Sequence, residues 1–558
     1  MRELISVPRL LAKLKPALLA AAIASAGCVG EIGEPGESDG PGSQVGPQVL
    51  QPAAPVLPRL TALQYRNALT DLLGDGLPDT PVEADTNPYL FYSVGSTSTS
   101  LSEYGAQQYE ANADAVTHWV FDNPLRRAAL VGCDVLAAGD ECTSDFLAKF
   151  GRKALRRPLT QEELARWVGV AAANTQPDVW EGLRLAVAGL LQSTHFLYRV
   201  ELGTPYPAID GRRVVKGYEM ASRLSFLLWN TTPDDELLDA AERGELDDVD
   251  GIALHADRLL ADERSRTAIR SFFAQYLDLG RLDGVVRSEE SYPLFAGGMK
   301  DAMRKEVELL VDDVVFAKGG DARSIFSTRH TFVNDQLAAL YGVSAPGADA
   351  TTFVPVDLPA EGPRAGLLTL GAFLTMNAHE TQTSPTARGK YVRERVLCQT
   401  VQAPPPDVDT TLDPPDPSKP QTVREKLEEH RKNPACAGCH SFIDPPGFLF
   451  EHFDSIGAVR TTEVGGLPID STGELDGQPL ADARALAEIL ADDERVGRCM
   501  VTQLYRHAQG RLETKGEKPA IDELSERFAD ADYDFRELIV ELVTHDGFRF
   551  VTDAEENP

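Results

Sequence analysis

Long apolar runs are scarce in this chain of 558 residues, and so are methionine, tryptophan and cysteine, with six, four and seven copies. The most continuous apolar run, 17–26, is too short to cross a bilayer, so no transmembrane helix is expected in the mature chain. Basic side chains are also in deficit. Lysine plus arginine number 54 against 86 aspartates plus glutamates, a net charge of -32. Such a surface repels phosphate backbones, which argues against nucleic acid as a partner and favours steering of a basic protein. Strand-like alternation is rare, with 351–357 the clearest stretch, and no fixed-period repeat points to a solenoid or propeller. Neither a Walker loop nor G-x-G-x-x-G occurs. His379-Glu380-Thr381-Gln382-Thr383 begins like a zincin motif but has threonine where the second histidine must fall.

What is present starts at the amino terminus. Arg2, Arg9, Lys13 and Lys15 precede the apolar run, the layout of a secretory signal over 1–27. The run ends at Ser25-Ala26-Gly27-Cys28, small residues before a cysteine, as lipid attachment requires. Cys28 is therefore the expected lipidation site. The stretch 28–57, rich in Gly, Pro, Ser and acidic residues, reads as a flexible tether. The expected location is outside the cytoplasm, lipid-anchored to the cell envelope and facing the periplasm or the cell surface.

The pentapeptide Cys436-Ala437-Gly438-Cys439-His440 then carries the chemistry. C-x-x-C-H is the attachment signal of c-type haem, in which two thiols form thioethers and the histidine becomes the proximal axial ligand of the iron. One covalent haem c is the expected cofactor, with Cys436 and Cys439 as its anchors and His440 as its iron ligand. A zinc site would need a second close Cys or His pair, which is lacking. For the sixth iron position, His379 and Met500 are the leading candidates; Met376 and His430 are also considered, His430 standing close in sequence to the motif.

Four cysteines remain, an even number in an oxidising compartment. Cys133 and Cys142 flank a short Gly-containing loop and are expected to pair. Cys398 and Cys499 are then left to each other, with two buried free thiols as the alternative. Most of the rest has helical periodicity. Capping boxes are expected at Thr61 with Gln64, Thr160 with Glu163, and Thr422 with Glu425. Thr232-Pro233 followed by Asp234, Asp235 and Glu236 reads as an N-cap, a first-turn proline and acidic residues at the positive helix end. The Pro404 to Pro420 region reads as a stiff connector. Pro434 is expected to end a helix so that the haem motif emerges as a loop, Asp444-Pro445-Pro446-Gly447 reads as a turn beside the porphyrin, and 461–480 as a hairpin.

Several segments together carry a resemblance: Arg59-Leu60-Thr61 onward, Phe150-Gly151-Arg152, the stretch from Leu191 to Arg199 with Arg223 to Trp229, Thr383 to Gly389, His430 to Gly457, and Tyr505 to Arg511. In this combination the chain resembles planctomycete and myxobacterial-type proteins built from the domain-of-unknown-function families 1587, 1595, 1592, 1588 and 1585. The resemblance implies modules at 58–130 (1587-like), 131–202 (1595-like), 203–340 (1592-like), 341–460 (1588-like, with the connector and haem motif) and 461–558 (1585-like, with the hairpin). The fold expected is mainly α, serial helical modules followed by a cytochrome c-like haem unit with a small β-hairpin. The function expected is a monohaem cytochrome in electron transfer or a haem-dependent oxidoreductase, against the alternative of a cell-surface helical scaffold with an accessory haem domain.

Overall fold

Thr61, Thr160 and Thr422 each accept a hydrogen bond from the backbone three residues on, while Gln64, Glu163 and Glu425 reach back to the cap. These reciprocal bonds satisfy amides that a helix start leaves open, and they set where three helices begin. The computed structural model describes residues 49–209, 211–317, 319–402, 421–463 and 466–553. The signal segment, Cys28, most of the tether and the proline connector lie outside the described residues.

The protein is mainly α. Helices Ala62–Leu73, Glu103–Phe121, Glu141–Ala154 and Val179–Leu191 enclose a smaller apolar core of Tyr65, Leu69, Tyr109, Val116, Phe146, Leu183 and Val187. A larger core draws on helices from Gly217–Leu228 to Phe535–Thr544, so residues as distant as Phe91, Met303, Phe373 and Phe528 belong to one cluster. Burying these side chains contributes about 1.5–3 kcal/mol each against the entropy of ordering the chain.

Strands are short. Thr204–Pro205, Arg212–Val214 and Phe550–Thr552 form one antiparallel sheet that brings the carboxy-terminal strand onto residue 212. His330–Val333 pairs with Val354–Asp357 inside the stretch that alternation had marked. The expected hairpin is present as Gly473–Leu475 and Gln478–Leu480, joined by Asp476 and Gly477, both at positive φ as a tight hairpin turn requires.

Three local readings are corrected. Thr232 does not cap the helix after it. Asp234 does, accepting from Leu237 N–H at 2.9 Å and pairing with Arg258 at 2.8 Å, whereas the Thr232 hydroxyl donates to Lys153 O. Pro434 does not precede a loop, because it opens helix Pro434–Phe448, where a missing N–H costs nothing. Asp444-Pro445-Pro446-Gly447 is accordingly no turn but part of that helix. Pro446 cannot donate to the carbonyl of Phe442 four residues back. Arg393 Nε donates there instead, at 3.1 Å, and replaces the lost bond.

Glu306 is fully buried in the larger core, accepting from Thr331 Oγ1 at 2.7 Å and from Tyr341 OH at 2.6 Å. Burial pushes its carboxyl up to about 7 from 4.5. The folded state therefore keeps a proton that the unfolded chain has lost, and stability falls as pH rises between these values, by on the order of 3 kcal/mol. Denaturant midpoints at about pH 5 and about pH 8 should fall more steeply for the natural chain than for Glu306→Gln. Equal slopes would remove Glu306 as the cause.

Candidate haem-attachment site

Helix Pro434–Phe448 carries Cys436, Cys439 and His440 at spacings of three and four residues, which places two thiols and an imidazole along one side of the helix. The carbonyl of Asn433 accepts from the amides of Cys436 and Ala437, both at 3.0 Å, and closes the first turn. Both cysteines are free thiols. Cys436 is buried, while Cys439 is half-buried with its Sγ 3.7 Å from the carbonyl of Gln402. Beside Gly438 there is open space, since a Cβ built there meets nothing within 4 Å.

His440 Nδ1 lies 3.0 and 3.1 Å from the two carboxylate oxygens of Asp444, which is wholly buried. A carboxylate only accepts, so Nδ1 carries the hydrogen of this contact and Nε2 is the nitrogen left to face a metal. Thr386 donates its hydroxyl to Asp444 Oδ1 at 2.8 Å and ties the pair to helix Pro385–Tyr391. An imidazole oriented by a carboxylate at its far nitrogen has the arrangement of a metal ligand.

The same helix pair is locked by close approach and by buried charge. Gly389 lies against the Ile443 carbonyl and Gly447 against the Pro385 carbonyl, leaving no room for a side chain at either point. Arg388 is fully buried and donates to Phe450 O at 2.9 Å, Phe453 O at 3.1 Å and Asp454 O at 2.8 Å. Its counter-charge is Glu451 at 3.5 Å, which also accepts from Arg460 and from Thr383, both at 2.9 Å. Burial lowers the Arg388 guanidinium to about 10, so it stays charged near neutrality.

The expected sixth ligands fall in different surroundings. His379 is exposed on a turn whose amide donates to Gln382 O at 2.8 Å. Met500 and Met376 are packed in the larger apolar core. The imidazole that lies against His440 belongs to His430, with ring centres 4.8 Å apart and planes at 73°. Among the described residues, no group of three or more His, Cys, Asp or Glu side chains is placed to hold a metal ion by itself.

Both disulfides are present. Cys133 is bonded to Cys142 and Cys398 to Cys499. The bond of Asp444 to His440 and the supporting contacts of Thr386 and Arg393 are what reading along the chain missed. Asp444 stands four residues after His440, a spacing that signals contact only once the motif is known to be helical.

Models of four families match successive segments. Protein of unknown function (DUF1595) covers residues 142–201, (DUF1592) 215–343, (DUF1588) 364–463 and (DUF1585) 476–548. The third of these contains the whole of Cys436-Ala437-Gly438-Cys439-His440. No curated protein and no solved structure matches the chain. Among the described residues, no helix is long and apolar enough to cross a membrane.

Proposed function

We propose that this protein is an exported, membrane-anchored c-type cytochrome with a single covalent haem, serving electron transfer or a haem-dependent oxidation. The observation that carries the reading is the one helical side that holds two free thiols and a histidine, with Nδ1 of that histidine bonded to buried Asp444. Cys436 and Cys439 would hold the porphyrin through thioethers, and His440 would face the iron with Nε2. When bound, haem supplies one-electron iron chemistry.

The chain's own residues account for what surrounds that chemistry. Asp444 fixes the tautomer and the ring orientation of His440. Thr386 keeps Asp444 in place as an acceptor, and the Arg388 network fixes the end of the helix that carries both. The proposed anchor is Cys28, after removal of 1–27 as a signal, with the segment that follows as the tether; its expected end at 57 is corrected, because Leu50 O accepts from Arg212, Gln51 N–H donates to Gly516 O and Ala53 O accepts from Thr552 N–H, which docks these residues on the fold. The stretch 58–130 is read as a 1587-like member of the series, ahead of the four matched segments. The strongly acidic surface suits a basic redox partner, whose encounter would be accelerated by long-range attraction.

Intact-mass and absorption measurements on protein exported from a host competent in cytochrome c maturation test the reading. The expected product carries one haem that survives denaturation and acid-acetone extraction, together with an acylated Cys28. A chain of unmodified mass at 436–440, without a Soret band, sinks the cytochrome assignment.

A further inference from the structure

His430 ends helix Val423–His430, and four residues later Pro434 opens the motif helix. The two helices are held together at several points. Leu427 is buried, Arg424 stacks over the Phe448 ring at 4.1 Å, and the Asn433 amide donates to the His430 carbonyl at 3.2 Å. This short link turns the chain back so that His430 meets His440 edge to face, at 4.8 Å between ring centres. Nearness in sequence is thus no obstacle, because the two imidazoles sit on separate helices. No hydrogen bond among the described residues occupies the His430 ring, whereas His440 already has Asp444 at its Nδ1.

The rival ligands meet larger obstacles. Met500 and Met376 are integral to the larger apolar core, whose members do not include Cys436. Withdrawing either sulfur to reach a haem at Cys436 and Cys439 would leave a cavity, at a cost of about 2–5 kcal/mol. His379 would have to leave the turn in which its own amide is bonded. His430 already lies against His440. Two imidazoles on opposite sides of one metal hold their ring centres about 6 Å apart, given metal–nitrogen bonds of about 2 Å, so the rings would have to separate by at least about 1 Å and turn from their edge-to-face arrangement to admit the porphyrin between them. A histidine acting as an acid or base on a small iron-bound molecule would stand farther away, with space for that molecule between.

Resting on the haem reading of Cys436, Cys439 and His440, we infer that His430 is the second axial ligand, completing a six-coordinate bis-histidine centre. Such a centre has no open position for a substrate, and its role is electron transfer. The scaffold is suited to it, since the ligand pair is carried by adjacent helices that Arg424 and Leu427 hold together.

The test uses the full-length holoprotein. The natural chain should give a low-spin spectrum in both oxidation states, and its reduced form should not bind carbon monoxide. His430→Ala should turn the spectrum high-spin and admit carbon monoxide, and added imidazole should restore the low-spin form. His430→Met should stay low-spin with a higher reduction potential, as exchange of histidine for methionine dictates. A natural holoprotein that binds carbon monoxide, or a His430→Ala spectrum identical to the parent, overturns the ligand assignment while leaving the cytochrome reading intact. Loss of the low-spin form in Met500→Leu or His379→Ala, with His430→Ala unaffected, does the same. Failure to find any covalent haem overturns both.

Discussion

Gly389→Ala is expected to lower stability by at least about 3 kcal/mol, the upper end of the range for overpacking, and, on the proposed cytochrome reading, to reduce haem incorporation along with it. A methyl group on Gly389 would overlap the carbonyl oxygen of Ile443 and come within 3.0 Å of the Gly447 amide nitrogen. The obstacle is backbone on a helix whose carboxy-terminal continuation is clamped by Arg388, so no side chain can swing aside to relieve it. Helices Pro385–Tyr391 and Pro434–Phe448 would have to part, which would also stretch the Thr386–Asp444 bond behind His440. Gly438→Ala is the matched control, made inside the motif itself. Its added methyl meets nothing within 4 Å, and replacing a mid-helix glycine should gain roughly 0.5–1 kcal/mol. Denaturant midpoints and the ratio of Soret to protein absorbance would separate the two variants. Similar midpoints for both would show that the glycine contact does not hold the motif helix.

Replacing Cys398 and Cys499 together by alanine should cost about 5 kcal/mol, because the link closes a loop of roughly 100 residues in the unfolded chain. The same change at Cys133 and Cys142 should cost about half as much, for a loop roughly a tenth as long. The sequence separations are 101 and 9. The longer loop contains the entire haem motif, and its closing bond ties the segment after Arg393 to helix Glu494–Gln509. Arg393 supports Pro446 of the motif helix and pairs with Asp476 of the hairpin at 2.5 Å. Loss of this disulfide should therefore loosen the site as well as the fold. Unfolding of the two double variants under identical oxidising conditions gives the comparison. A larger loss for the Cys133–Cys142 pair would contradict the chain-entropy account.

Much of the architecture could be read from the chain, for a local reason. The three threonine capping boxes, the Cys133–Cys142 loop and a hairpin within 461–480 depend on residues whose types and spacing already point to the bond to be made, whereas Cys398–Cys499 follows from the chain only by elimination. The failures are equally specific. Pro434 and Pro445-Pro446 look like breakers, yet one sits where no donor is needed and Pro446 has its missing donor replaced by Arg393, about fifty positions earlier. Thr232 was outcompeted as a cap by Asp234, whose carboxylate gains Arg258 as a second partner.

The candidate site divides in the same way. Two thiols and an imidazole at intervals of three and four residues are a property of the chain, since any helix through them puts them on one side. That Asp444 orients the imidazole, that Thr386 backs it, that His430 lies against it, and that Gly389 and Gly447 let the two helices touch were settled only by folding. Covalent spacing travels with the chain in every conformation. Contacts between segments tens of residues apart exist only after the apolar cores have brought those segments together, and in this protein distant segments share one large core.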